Sequence, residues 1–192
     1  MNAPWQPVLD FWFLPAADPG HGKPRPEWFR KDARFDHTII ERFGKLIEQA
    51  LAGALDSWQV ELRGALAHVV VLDQFTRNAF RDTARAFAGD RQALAAARRL
   101  VEQKLDRQLV PVERWFAYMP YEHAEDSAMQ DQALAHFTQL EAESEMTDLV
   151  SYANRHRDII RRFGRFPHRN RLLGRTSTPE EEEFLRQPGS GF

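Results

Sequence analysis

The sequence predicts an all-α protein, and three observations support this. Apolar residues recur at three- to four-residue spacing through most of the 192 residues. No stretch sustains the apolar–polar alternation of a half-buried strand. No Asn-Gly or Asp-Gly pair marks a hairpin turn. About seven helices are expected.

In chain order, residues 1–33 should hold an N-terminal helix and a loop at 14–26 that is rich in Pro and Gly. Residues 35–51 carry one apolar stripe (Phe35, Ile39, Phe43, Ile47, Leu51), with Asp32 or Asp36 to cap its start and Gly53 to follow its end. Residues 58–75 are apolar on nearly every side, which describes a buried central helix. Asp90 should cap an Ala-rich helix over 90–105, and Pro111 suits the first turn of a short one over 111–118. A longer helix is expected over 122–143, and another over 147–163, with Gly164 placed to terminate it. Thr178-Pro179-Glu180-Glu181 has the spacing of a capping box and opens a last short helix. The stretches near 76–89 and 164–178 read as irregular. The whole of 1–192 is expected to be one domain, with 176–192 as a C-terminal short helix and tail. A chain of this size buries roughly 70% of its unfolded surface, enough for a sizeable core.

Composition narrows the chemistry. There is no cysteine, so disulfides, thiolate metal sites and Cys nucleophiles are excluded. The first twenty residues hold no Lys or Arg, and Asp10 interrupts their apolar run, so no secretory signal is expected. The most apolar uncharged run, about 64–72, is far short of the ~20 residues that span a bilayer. A cytoplasmic protein without a membrane partner is the expectation. The net charge of −2 gives no global pull towards nucleic acid, which is not an expected partner. No phosphate-binding Gly loop, dinucleotide fingerprint or Gly-x-Ser-x-Gly elbow occurs.

The small net charge hides a segregation. Residues 115–154 contain eight acids and no Lys or Arg, whereas 155–175 contain eight Arg and one acid. Such a block suits a phosphate or nucleic-acid patch, or else the two neighbouring blocks neutralise each other across packed helices.

Three segments place polar groups where the apolar pattern expects core. In Leu72-Asp73-Gln74-Phe75-Thr76-Arg77-Asn78, Asp73 precedes Arg77 by four residues, so the two can pair on one helix face. They make either a structural pair with Asn78 ending the helix or the wall of a pocket. In Tyr118-Met119-Pro120-Tyr121-Glu122-His123-Ala124-Glu125-Asp126, the acids suit a first helical turn, and their charge should favour protonated His123. No His-Glu-x-x-His pair accompanies His123, and no metal or cofactor is expected. In the third segment, His156 falls on an apolar stripe and reads as a core histidine, as does His68. The loop 165–175 then packs Arg165, His168, Arg169 and Asn170 beside Gly164 and Pro167, with Phe163, Phe166, Leu172 and Leu173 as apolar anchors. That composition suits holding an anion.

These segments, together with Val8-Leu9-Asp10-Phe11-Trp12-Phe13 and Arg162-Phe163-Gly164-Arg165-Phe166-Pro167-His168-Arg169-Asn170, resemble the bacterial domain-of-unknown-function family 924. The similarity runs in order over nearly the whole chain. The family pattern usually has Pro where this chain has Thr76, and Tyr near Phe80. The resemblance implies a tetratricopeptide-like helical-hairpin superhelix, although no consensus repeat signature is visible in this chain. It brings no established activity, so no catalytic role carries over.

The expected site is a polar pocket of Asp73, Arg77, Asn78, His123, Arg165, His168, Arg169 and Asn170, taking an anionic small molecule or an acidic peptide. Two alternatives stand beside it. One is a hydrolase-type enzyme with Asp73 or His123 as base, His168 as acid and the arginines as clamps. The other is a protein–protein scaffold without a small-molecule site. The oligomeric state is not legible.

Overall fold

In a computed structural model that describes residues 3–191, the chain is helical throughout and holds no strand among the described residues. The helices are α1 (Gln6–Phe13), α2 (Ala33–Leu51), α3 (Leu62–Val70), α4 (Thr76–Ala79), α5 (Asp90–Glu102), α6 (Pro111–Glu122), α7 (Ser127–Ala142), α8 (Leu149–Phe163) and α9 (Pro179–Leu185). A π turn, Val71–Phe75, joins α3 to α4 without a break, so these two act as one rod.

Local chemistry explains most of the boundaries. Asp32 caps α2 by accepting from the Arg34 and Phe35 amides at 2.8 and 3.2 Å. Asp36 is left free for another task. Arg25 closes the end of α1, donating to the Phe11 and Trp12 carbonyls at 2.7 Å each. Gly164, at φ 70°, ends α8 in the left-handed conformation that glycine adopts without strain. Thr178 and Glu181 satisfy each other's amides at the start of α9.

The α3–α4 rod is the axis of the fold. It packs against α1, α2 and α5, and the chain then continues through neighbouring contacts from α5 to α6, α6 to α7 and α7 to α8. This succession of packed neighbours accords with a tetratricopeptide-like description. Leu66, Val69, Val70, Val71, Leu72 and Phe75 on the rod are all fully buried. Trp12, Trp28, Phe13 and Phe116 fill the adjoining space edge to face, with centroids 4.6–6.0 Å apart. A smaller cluster of Ile159, Ile160 and Phe166 holds the end of α8, where α9 docks through Phe184. No helix among the described residues is long and apolar enough to cross a membrane.

Five boundaries differ from the expected ones. Trp58 lies in a short 3₁₀ turn and the buried helix begins at Leu62. That helix passes through Thr76 to Ala79, because Thr76 turns its hydroxyl back onto the Leu72 carbonyl at 2.7 Å instead of breaking out. Asp90 is inside α5, with Gly89 in the capping position. Helix α6 runs through Pro120 to Glu122, and α7 starts only after Asp126, which caps it. Leu173 is an exposed residue, so Phe166 and Pro167 anchor the following loop without it.

Gly89 is required by close approach and not by its backbone angle. A Cβ there would lie 2.1 Å from the Leu72 carbonyl oxygen, an atom of the central rod. Gly89→Ala should therefore push α5 off the rod and lower stability by about 1–3 kcal/mol, the usual range for overpacking. Urea unfolding checks this, and an unchanged midpoint would show that the contact can relax.

Candidate functional site

The π turn sets the position of Asp73. Opening one turn of the rod rotates the carboxylate into the protein, where it is fully buried. Burial alone would push its pKa up, but Arg77, His123 and Gln74 outweigh that and hold it below the usual carboxylate range. Arg77 Nη1 lies 3.0 Å from Asp73 Oδ1 and also donates to the Asp73 carbonyl at 2.8 Å. The His123 Nδ1–H donates to Asp73 Oδ1 at 2.7 Å, and the Gln74 amide bonds Oδ2.

From this anchor the network widens. Arg77 reaches Asp90 at the start of α5, with contacts of 2.9 and 3.2 Å. Arg169, from the 3₁₀ turn after α8, donates to the same Asp90 carboxylate at 3.1 Å and to the His123 carbonyl at 3.1 Å. Two guanidiniums thus share one carboxylate. Burial and the charge of Arg77 lower the Arg169 pKa to about 10, which leaves it charged at neutral pH. Its ring neighbours fix its plane, because Phe87 and Phe166 both lie 4.6 Å from Arg169 Cζ.

These groups border a cavity of about 820 Å³. Arg77, Asn78, His123, His168 and Arg169 line it. Asp73 sits one layer behind, acting through Arg77 and His123. Arg165 and Asn170 do not reach the cavity. Arg165 forms a two-point pair with Glu181 at 2.6 and 2.8 Å, and Asn170 bonds the same carboxylate at 3.2 Å. Both bind α9 to the body of the protein. Asn78 is a wall residue whose amide donates to Asp36 at 2.8 Å, beside the Arg81–Asp36 pair. The basic block is neutralised piecemeal: Glu125 takes Arg175, Asp131 takes Arg161, and Glu180 and Glu181 take Arg162 and Arg165.

Three residues of the site were assigned elsewhere by the sequence. Glu122 is not in a first helical turn but at the end of α6, and faces the cavity while almost fully buried. Asp90 looked like a local cap, and its tie to Arg169 spans 79 residues. His156 is buried as a core histidine would be, yet it is also a cavity wall, with Nδ1 donating to the Tyr152 carbonyl at 3.0 Å. The apolar run through Tyr118 and Tyr121 was the available signal that α6 continues past Pro120. His68 is the core histidine its position suggested.

Two carboxyl groups of the site behave oppositely. Asp73 is ionised within its partners, whereas burial, reinforced by the charge of Asp73, pushes Glu122 up to about 8. His156 Nδ1 is 3.3 Å from Glu122 Oε1, but its N–H points at Tyr152, so Oε1 makes no hydrogen bond among the described residues. The direction for His123 reverses the one expected from its acidic neighbours. Burial, then the charge of Arg77, lowers its pKa and outweighs the help of Asp73, whose charge Arg77 already uses. His123 is therefore neutral at pH 7, with its proton on Nδ1 and a lone pair on Nε2 at the cavity side. Burial likewise lowers His156 to about 3 and His168 to about 4.

Removing the anchor should be costly. Asp73→Ala leaves two buried guanidiniums on Asp90 alone, and should cost about 3–5 kcal/mol in chemical denaturation. An unaltered melting temperature would mean that water reaches Arg77. Glu122 gives a second test with a defined sign. Its folded pKa lies above its unfolded value of 4.5, so the folded state keeps the proton longer and stability falls as pH rises from about 4.5 to about 8. Glu122→Gln removes that slope, so the variant should gain on the wild type steadily across this window. A stability difference that stays flat with pH would contradict a buried neutral carboxyl.

The comparisons with known proteins agree with this architecture. The sequence profile of the family described as bacterial protein of unknown function (DUF924) matches residues 8–189. A solved structure of a protein of unknown function from Agrobacterium tumefaciens is 37% identical, with a TM-score of 0.82 over 95% of this chain and 96% of that one. No curated protein matches the sequence. The chain belongs to the DUF924 family of bacterial proteins.

Proposed function

We propose that the cavity binds a small organic anion with an apolar or aromatic body. The observation that carries this is Arg169. It is almost fully buried, it borders the cavity, it shares the Asp90 carboxylate with Arg77, and its Nε makes no hydrogen bond among the described residues. A buried cation left short of acceptors favours an incoming carboxylate or phosphate, because a charge-assisted pair is strong in a dry site.

The rest of the lining supports the same choice. Six arginines border the cavity (30, 77, 81, 155, 169 and 171), against one ionised carboxylate, Asp82, since Glu122 is neutral at pH 7. Trp28, Phe29, Trp115 and Phe137 also line the cavity and offer apolar surface for the body of the ligand. A volume of about 820 Å³ falls in the range of small-molecule pockets, which favours a metabolite-sized ligand over an acidic peptide.

Thermal shift with inorganic phosphate, succinate, benzylsuccinate and an acidic hexapeptide tests this against a chloride control of matched ionic strength. Benzylsuccinate should raise the melting temperature most, and at about 100 times its Kd the gain corresponds to ~2.7 kcal/mol. Arg169→Gln should abolish the gain. If only the hexapeptide stabilises, the ligand class is wrong. If no anion exceeds chloride, the cluster is internally neutralised and the scaffold function replaces this one.

A further inference from the structure

We propose that the cavity hydrolyses a carboxylate-bearing ester, with His123 as general base towards water and Glu122 as general acid towards the leaving alcohol. The proposal rests on the anion-binding function above and adds chemistry to it.

Two carboxyl–histidine pairs meet at one cavity, and they differ in the one respect that matters. In the first, an ionised Asp73 accepts the Nδ1 proton of His123, which fixes the tautomer and leaves Nε2 as a base on the cavity side. In the second, Glu122 and His156 sit 3.3 Å apart, and burial keeps the carboxyl protonated. The two imidazole rings are 6.5 Å apart, centroid to centroid, and His123 and Glu122 both line the same cavity. Environments that drive neighbouring titratable groups in opposite directions are the mark of a divided acid–base task. Beside them, Arg169 and Arg77 supply positive charge for a developing oxyanion.

Among the described residues the lining contains no serine, threonine, cysteine or lysine, and water is the attacking group proposed. His123 Nε2 takes one proton from water as the water oxygen bonds to the ester carbonyl carbon, and negative charge gathers on the carbonyl oxygen. The carbon–oxygen bond to the alcohol then breaks, its electron pair stays on the leaving oxygen, and that oxygen takes the Glu122 proton. The new carboxylic acid ionises to solvent, and the His123 proton returns to Glu122. The sum is ester plus water giving carboxylate, alcohol and a proton. Asp73 never touches substrate; it is a positioning residue acting through His123.

Monobenzyl succinate and mono-4-nitrophenyl succinate test the assignment, because 4-nitrophenolate leaves with little need of an acid and benzyl alkoxide does not. The wild type should hydrolyse both above the buffer rate. His123→Gln should lose about 100-fold or more on both esters. Glu122→Gln should lose about 100-fold on the benzyl ester and clearly less on the nitrophenyl ester. Asp73→Asn should remove the downfield His123 Nδ1 proton resonance seen by NMR in the wild type, a readout independent of turnover. Circular dichroism confirms that each variant is folded. A wild type that hydrolyses neither ester, or a folded His123→Gln chain that keeps its rate, overturns the proposal. Equal losses on both esters overturn the role of Glu122. Binding of N-benzylsuccinamate is measured in parallel by thermal shift. Stabilisation without ester turnover leaves the anion site standing and removes only the catalysis, whereas neither binding nor turnover removes both.

Discussion

A single buried carboxylate organises the molecule. Asp73 has no access to water, and an isolated ionised carboxylate in that position would cost many kcal/mol. It is tolerated because three elements converge on it: Arg77 from α4, His123 from the end of α6 and Gln74 from its own π turn. Satisfying Arg77 then recruits Asp90 from α5, and Asp90 in turn recruits Arg169 from beyond α8. The chain of partners accounts for why helices far apart in sequence meet at one cavity. Gly89 belongs to the same constraint, since only a residue without a side chain lets α5 approach the rod closely enough for Asp90 to reach Arg77.

The arginine-rich segment divides by partner into two populations with different tasks. Arg162, Arg165 and Arg175 meet carboxylates of α9 or of the turn before α7, and they hold the C-terminal part of the chain. Surface pairs of this kind are worth little singly, so Phe166 and the Phe163–Phe184 contact must supply much of the hold. Arg169 stands apart. It is buried between two phenyl rings and shares Asp90 with Arg77, which also holds Asp73, and its Nε makes no hydrogen bond among the described residues. A composition that looked uniform along the sequence thus becomes a structural set and a cavity-bordering set of Arg155, Arg169 and Arg171.

What the sequence made legible follows from how local each signal was. Helix periodicity is local, and α2, α8 and α9 lie close to their expected bounds with the caps that Asp32, Gly164 and Thr178 announced. The Asp73–Arg77 pair is four residues long and was equally readable. Asp90 was not, because its partners are 13 and 79 residues away and its position after Gly89 imitates a cap. Arg165 and Asn170 looked like neighbours of Arg169 in function because they are neighbours in sequence. The tight turn after Gly164 points them instead at Glu181, on the far side of the loop. Glu122 was hidden because the expected helix ended at Tyr118, before Pro120. A proline lacks only one donor, and the turn of α6 that contains it is packed on most sides, so the helix continues past it.

Two irregularities of the backbone lie on either side of the same site. The π turn puts Asp73 behind the cavity, and the proline-containing last turn of α6 puts Glu122 and His123 on its wall. Neither departure adds stability. A regular rod with an apolar residue at position 73 would bury its hydrogen bonds at no desolvation cost, and well-packed apolar replacements of buried ion networks are often neutral or stabilising. Buried Glu122 worsens the balance further, since the fold must hold its proton against ionisation above pH 4.5. That the chain departs from its local helix rules at this place, at a cost in stability, is what the proposed chemistry accounts for. Packing needs neither an ionised and a neutral carboxyl beside each other nor an arginine short of acceptors; the reaction proposed for a bound anion uses all three.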